Sequence, residues 1–113
     1  MLIIISMSLN YSCDNVQGGP GKQLVVEVLP GSGIADDDPL NDFSPHDLKI
    51  KAGTKVTWIN KDNKIHFVDV KGHYFSSPML LTGDKYTFIF NNRGEYQYYC
   101  GAHRWMRGKI KVW

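Results

Sequence analysis

The sequence predicts an all-β fold, a Greek-key antiparallel β-sandwich or barrel with about seven to eight strands. Short runs rich in Val, Ile and aromatic residues alternate polar and apolar side chains, as half-buried strands do. Gly and Asn residues that favour turns separate these runs at regular intervals. No apolar period of about 3.6 residues continues far enough to indicate a long helix. The chain of 113 residues suffices for one domain with a modest core.

Seven runs carry the strand signal. The clearest is Lys-Val-Thr-Trp-Ile at 55–59, in which polar and apolar side chains alternate. Turn signals lie between the runs, for example Ala-Gly-Thr at 52–54 and Asn-Asn-Arg-Gly at 91–94. Residues 34–43 are compatible with a helical turn. The predicted strands are 23–29, 48–51, 55–59, 65–70, 85–90, 95–99 and 109–112.

Residues 1–21 precede the predicted domain, which spans 22–113. The apolar stretch at 1–9 is typical of an export signal, although it lacks the usual positive start. The sequence that ends at Cys13 resembles a bacterial lipoprotein cleavage site, which makes Cys13 a candidate for lipidation. A simple export or membrane-anchoring segment and an ordinary folded terminus are the alternatives. The Gly-rich stretch at 14–21 predicts a flexible tether.

The charge balance excludes several classes of partner. The chain carries 13 Lys and Arg against 11 Asp and Glu, a net charge of +2, so no nucleic-acid binding is expected. No apolar stretch approaches the roughly 20 residues of a membrane span, so membrane contact is expected only through the N-terminal segment. The acidic run at 36–38 is interpreted as a solvated loop. We expect a monomer.

One loop near the C-terminus carries metal-ligand chemistry. Cys100, His103 and Met106 follow one another with two residues between each pair, and strand-like runs lead into and out of the loop. A thiolate, an imidazole and a weak thioether together suit copper. Structural zinc is disfavoured because the chain lacks a second pair of cysteines.

A blue-copper site needs a second imidazole from elsewhere in the chain. His66 follows a polar loop at the start of a predicted strand, and that strand end can lie beside the C-terminal loop in a Greek-key sandwich. His46 stands in a Ser-Pro-His turn and His73 beside a glycine, so both are interpreted as solvent-exposed. His66 is therefore the candidate.

The chain resembles the small cupredoxins, the type 1 blue copper proteins of the plastocyanin and amicyanin group, over residues 22–113. The short spacing from His103 to Met106 is most similar to that of amicyanin. The resemblance implies one type 1 copper ion held by His66, Cys100, His103 and Met106. The matching segments are 43–45, 48–60, 75–78, 83–86, 98–100, 103 and 106–110.

The chain departs from the family beside these ligands. Most relatives have Asn after the first histidine and Thr or Ser after the cysteine, and the two side chains hydrogen-bond. Here Phe67 and Gly101 occupy those positions, so both ends of the link are absent together. Ala102 replaces a common Pro and adds a backbone N–H that can reach the sulfur of Cys100. Because such donors stabilise electron-rich reduced copper, we expect this chain to have a reduction potential that is high compared with those of its group of relatives.

The resemblance implies a carrier of single electrons between protein partners, in the periplasm or otherwise outside the cytoplasm. It could be anchored to the membrane through lipidated Cys13. His103 is expected to be the partly exposed ligand, with Arg104, Trp105 and Arg107 forming a docking surface for acidic redox partners. No enzyme activity is expected, because the axial Met leaves no open substrate position. Copper storage, delivery or sensing with the same ligands, and a metal-free binding module, are the alternatives.

Overall fold

A computed structural model describes residues 16–34, 42–72 and 75–113. Within these ranges nine strands form two sheets, and no helix is long and apolar enough to cross a membrane. The strands are β1 (Val16–Gly18), β2 (Gln23–Val28), β3 (Phe43–Ser44), β4 (Asp47–Lys51), β5 (Thr54–Asn60), β6 (Asp69–Val70), β7 (Lys85–Phe90), β8 (Gly94–Tyr99) and β9 (Arg107–Val112).

The two sheets pack as a sandwich, which confirms the predicted all-β class. The larger sheet has the order β1-β4-β9-β8-β6 and the smaller one β3-β2-β5-β7. Strands β8 and β9 form an antiparallel hairpin, and β5 and β7 are also antiparallel neighbours. Three pairs are parallel, namely β1 with β4, β2 with β5, and β4 with β9. The sheets are therefore mixed rather than purely antiparallel, because strands distant in sequence meet side by side.

Alternation along the strands separates the core from the surface. In β4, Leu48 and Ile50 are buried while Lys49 between them is exposed, as a period of two residues requires. The largest buried side chain is that of Trp58 on β5, which bridges the two sheets. Its ring centroid lies 5.4 Å from that of Tyr98 and 5.9 Å from that of Phe75. An aromatic cluster thus fills the centre of the sandwich.

The structure differs from the sequence-based elements in two places. Val16–Gly18 form a strand inside the stretch predicted to be a flexible tether, because they pair with β4. Of the predicted strand 65–70, only Asp69–Val70 is a strand, and His66 instead forms one isolated bridge with Leu80. Most of the predicted helical turn at 34–43 lies outside the described residues.

The fold brings the two candidate ligand segments to one end of the sandwich. Tyr99 at the end of β8 pairs with Arg107 at the start of β9, so residues 100–106 close this hairpin as a loop. Asp69 on β6 pairs with Tyr99, which sets the chain after His66 directly beside that loop. Two backbone hydrogen bonds to Leu80, of 3.0 and 2.8 Å, fix His66 itself.

Candidate metal centre

The C-terminal loop is held in a compact shape by its own backbone. The N–H of Cys100 donates to the carbonyl oxygen of Met106 at 3.1 Å. The N–H of His103 donates to Cys100 at 3.3 Å, and that of Met106 donates to His103 at 3.0 Å. All three candidate ligands of the loop are therefore constrained by hydrogen bonds among themselves.

Three donor atoms converge at the end of the sandwich. The sulfur of Cys100 lies 3.6 Å from Nδ1 of His66 and 3.7 Å from Nδ1 of His103. The three atoms all lie within 4.8 Å of one another. Cys100, His66 and Met106 have no exposed surface, whereas His103 is partly exposed. A metal ion could thus be enclosed on all sides except that of His103.

Asp62 orients His66 from behind. Its Oδ2 lies 2.7 Å from Nε2 of His66, and both side chains are buried. The same carboxylate accepts the N–H of Gly31 at 2.9 Å and that of Gly33 at 3.1 Å. Because an ionised carboxylate only accepts, Nε2 carries a proton. In the neutral ring the lone pair is then on Nδ1, facing Cys100, whereas in the protonated ring Nδ1 also carries a proton and donates to the sulfur. The neutral form is the tautomer that a metal ion bound at Nδ1 requires.

Local hydrogen bonds set the protonation of Asp62 and Cys100. Burial raises the pKa of Asp62, but hydrogen bonds from His66 and nearby backbone N–H groups outweigh this and lower it overall. Burial likewise raises the pKa of the Cys100 thiol. Hydrogen bonds from His66 and from the N–H groups of Phe67, Ala102 and His103 bring that pKa below its ordinary value. The Phe67 N–H lies 3.4 Å from the sulfur. The site therefore favours a thiolate, the form that binds metals.

The two imidazoles have pKa shifts of opposite sign. Burial lowers the pKa of His66, but hydrogen bonds with Cys100 and Asp62 reverse the effect and raise it. The pKa of His103 is lowered, first by burial and then by the positive charge of protonated His66. His103 is thus the imidazole that sheds its proton more readily, as a ligand must.

The structure shows what occupies the space beside Gly101. A Cβ atom at Gly101 would lie 2.5 Å from Oδ2 of Asp69, closer than such atoms approach. The carboxylate of Asp69 therefore occupies the space that a Thr or Ser side chain would need. Phe67, the other departure, lies 4.0 Å from the same position.

A second connection joins the C-terminal loop at 100–106, the copper loop, to the turn at 31–33 behind His66. The indole N–H of Trp105 donates to the carbonyl oxygen of Ser32 at 3.2 Å. Ser32 stands between Gly31 and Gly33, which both donate to Asp62. Sequence reasoning missed this route. The available signals were an acid four residues before His66 and the Gly-Ser-Gly turn at 31–33.

The remaining candidates lie around this centre or apart from it. Arg104 and Arg107 are exposed, and Trp105 is 37% exposed with its ring centroid 5.2 Å from that of His103. Trp105 is therefore partly packed as well as accessible. His46 pairs with Asp47 at 3.1 Å, away from the three convergent donors. Cys13 and His73 lie outside the described residues.

The donor set fits copper. One thiolate and two imidazoles combine soft and borderline ligands, and the buried pocket offers no additional carboxylate among the convergent donors of the described residues. A β-sandwich with this set at one end defines a cupredoxin. The chain belongs to the plastocyanin/azurin family of copper-binding proteins, whose model matches residues 32–113.

Several known proteins are similar to this chain. Amicyanin of Paracoccus versutus is 35% identical over 116 residues, covering 98% of this chain and 88% of the relative. Amicyanin of Paracoccus denitrificans is 35% identical over 92 residues, covering 77% of this chain and 70% of the relative. A purple cupredoxin from Nitrosopumilus maritimus superimposes with a TM-score of 0.73 at 33% identity, covering 79% and 98% of the two chains. These matches confirm the predicted family, fold and copper cofactor. The amicyanin relatives are electron-transfer carriers rather than enzymes.

Proposed function

We propose that this chain is a type 1 copper protein that carries single electrons between protein partners outside the cytoplasm. His66, Cys100, His103 and Met106 are its ligands. The observation that carries the proposal is the convergence of two imidazole nitrogens on one buried sulfur, all within 4.8 Å. Bound copper supplies the redox chemistry by gaining and losing one electron.

The protein contributes rigidity and shielding. Hydrogen bonds within the loop hold Cys100, His103 and Met106, and Asp62 holds His66, so the ligands need not rearrange when the charge changes. Burial of His66 and Cys100 excludes water. His103 is the exposed member of the set, which makes it the proposed route by which electrons enter and leave.

The surroundings of His103 support docking of a redox partner. Trp105 presents a partly exposed ring beside it, and the guanidinium groups of Arg104 and Arg107 are exposed nearby. Aromatic and Arg side chains are enriched in protein interfaces, and exposed charge guides association. An acidic redox partner suits this surface.

The proposed location rests on the N-terminal sequence. The apolar stretch at 1–9 and the following Cys13 favour export, with lipid anchoring at Cys13. Mass spectrometry of the mature protein from the source cells tests this directly. A lipidated N-terminal Cys13 is expected, and an unprocessed Met1 would contradict it.

Spectroscopy of the oxidised, copper-loaded protein tests the function. We expect intense thiolate-to-copper absorption in the visible range and narrow copper hyperfine splitting in the EPR spectrum. Cys100→Ser should abolish the absorption, whereas the matched control His46→Ala should leave it unchanged. A colourless copper complex would contradict the proposal, and rapid loss of copper to a chelator would favour storage or delivery instead.

A further inference from the structure

An open pocket with cationic walls lies beside the copper loop. Lys71, Arg104 and Arg107 surround Tyr99, and Gln97 and Tyr98 complete the lining. Tyr99 directly precedes Cys100, so the pocket is one residue from the proposed ligand. Of these side chains, only Arg104 and Arg107 belong to the surface inferred around His103.

The cations of this pocket have no acidic partner among the described residues. No ion pair joins Lys71, Arg104 or Arg107 to a carboxylate there. Asp69, the acid that pairs across the strands with Tyr99, directs its carboxylate at Gly101. The guanidinium of Arg104 instead lies 6.0 Å from the centre of the Tyr99 ring. The three cations that line the pocket thus lack an ion-paired carboxylate among the described residues, which favours binding of an anion.

The pocket continues into a wider positive face. Arg107 begins β9, and the cross-strand pairs place it on the outer surface of the larger sheet with Lys109 and Lys111. Cations outnumber acids on this surface. The cations are Lys49, Lys51, Lys71, Arg107, Lys109 and Lys111, and the acids are Asp47, Asp69 and Glu95.

The opposite sheet lacks this concentration of charge. Its outer surface carries Lys55 and Lys85, the acid Glu27, and exposed apolar side chains such as Val25 and Ile89. The asymmetry gives the molecule one cationic side, adjoining the copper loop.

Two guanidinium groups and an ammonium group suit carboxylates, which guanidinium can bind through two parallel hydrogen bonds. Because the pocket is open and continues along the sheet, many carboxylates can be engaged at once, which an acidic protein surface provides. We propose that the Lys71/Arg104/Arg107 pocket and the adjoining β9 face bind the acidic surface of a redox partner. The partner would then cover the side of the larger sheet as well as the end at His103. This inference rests on the proposed function, since a carrier requires such a partner.

Titration of the reduced copper protein with a short oligoglutamate peptide tests the site. In isotope-edited NMR spectra we expect shifts centred on residues 71, 97, 99, 104 and 107. These should be strong at about 20 mM ionic strength and largely lost at about 200 mM. Shifts spread over every exposed lysine, or no shifts at low ionic strength, would overturn the proposal.

Paired charge reversals distinguish binding of the peptide at this pocket from its nonspecific attraction to any exposed cation. Lys71→Glu/Arg107→Glu should weaken peptide binding about tenfold or more, whereas the control Lys55→Glu/Lys85→Glu should weaken it less than about twofold. Equal weakening in both variants would overturn the proposal. Binding to phosphatidylglycerol vesicles without any peptide shifts would also overturn it and indicate a membrane surface instead.

Oxidation of the same samples to Cu(II), the state that gives thiolate-to-copper absorption, distinguishes failure of this inference from failure of the proposed function. If the copper function fails, thiolate-to-copper absorption is missing while the peptide shifts persist. If the docking inference fails, the absorption is present and the peptide shifts are absent.

Discussion

Individual side chains that contact the proposed ligands determine how strongly the site can bind copper. Asp62 is the central one, because its buried carboxylate accepts hydrogen bonds from His66, Gly31 and Gly33 together. It selects the His66 tautomer and fixes the ring orientation. Loss of a partner of this kind typically costs about 10- to 100-fold in metal affinity. Two predictions concern single side chains around the ligands.

Asp62→Asn should weaken copper binding about 10- to 100-fold, because an amide is a poorer acceptor for Nε2 of His66. Competition with a copper chelator measures the affinity. Asp84→Asn is the matched control, since Asp84 also accepts a backbone N–H, that of Leu81, but is exposed and makes no contact with the ligands. Equal copper affinity in both variants would show that Asp62 does not position His66.

Ala102→Pro should lower the reduction potential. The substitution removes an N–H that donates to the Cys100 sulfur and so favours the reduced, electron-rich site. A hydrogen bond worth about 1 kcal/mol corresponds to about 40 mV for one electron. A spectroscopic redox titration measures the shift, and an unchanged or higher potential would contradict the prediction.

The loops at the copper end depend on one another. Residues 100–106 contact the His66 segment through the Cys100 sulfur and the Phe67 N–H, and they contact the 31–33 turn through Trp105. Gly101 and Asp69 form a third contact, in which the absence of a side chain makes room for a carboxylate. The link between side chains found in most relatives is thus replaced by contacts between loops.

Gly101→Ser should destabilise the protein by at most about 1 kcal/mol, because the new side chain overlaps the terminal oxygen of Asp69, which must rotate away. Unfolding in urea measures the change. Asp69→Ala alone serves as the control, and the double variant should recover most of the loss because the carboxylate is gone. Strictly additive effects of the two substitutions would rule out this contact as the cause.

One side of the larger sheet is built from strands that lie far apart in the sequence. Strand β1 pairs with β4, and β4 pairs with β9 at the C-terminus. Gly18 packs closely on Thr54, and the N–H of Gly19 donates to the hydroxyl of Thr54 at 2.8 Å. The stretch predicted to be a tether is therefore partly structural, and it protects one edge of the larger sheet.

A chain that begins at Lys22 should be less stable than one that begins at Val16. Removal of β1 exposes the β4 edge and leaves Thr54 without the Gly19 donor, at a cost of about 1–3 kcal/mol. Such a loss lowers the thermal midpoint by several degrees, roughly 4–8 °C per kcal/mol for a domain of this size. Equal midpoints of the two chains would mean that β1 contributes nothing to stability.

Much of the fold was predictable because its signals are local. The alternation in β4, β5, β7, β8 and β9 requires only neighbouring residues, and those strands were anticipated within a few positions. The short strands β1, β3 and β6 were missed or misjudged, since two or three residues carry no periodic pattern. Their existence depends on partners elsewhere in the chain.

The sequence by itself determined the class of fold and the loop from Cys100 to Met106, because the spacing of those three residues is local and visible. It also indicated His66, 34 residues from Cys100, from its place at the start of a predicted strand and from the resemblance to a family. Only the tertiary structure determined which groups contact the proposed ligands and surround them. The Asp62 contacts with the 31–33 turn, the Trp105 bond to Ser32 across 73 residues, and the Lys71 pocket all join distant segments. Such contacts arise from packing, which no spacing along the chain encodes.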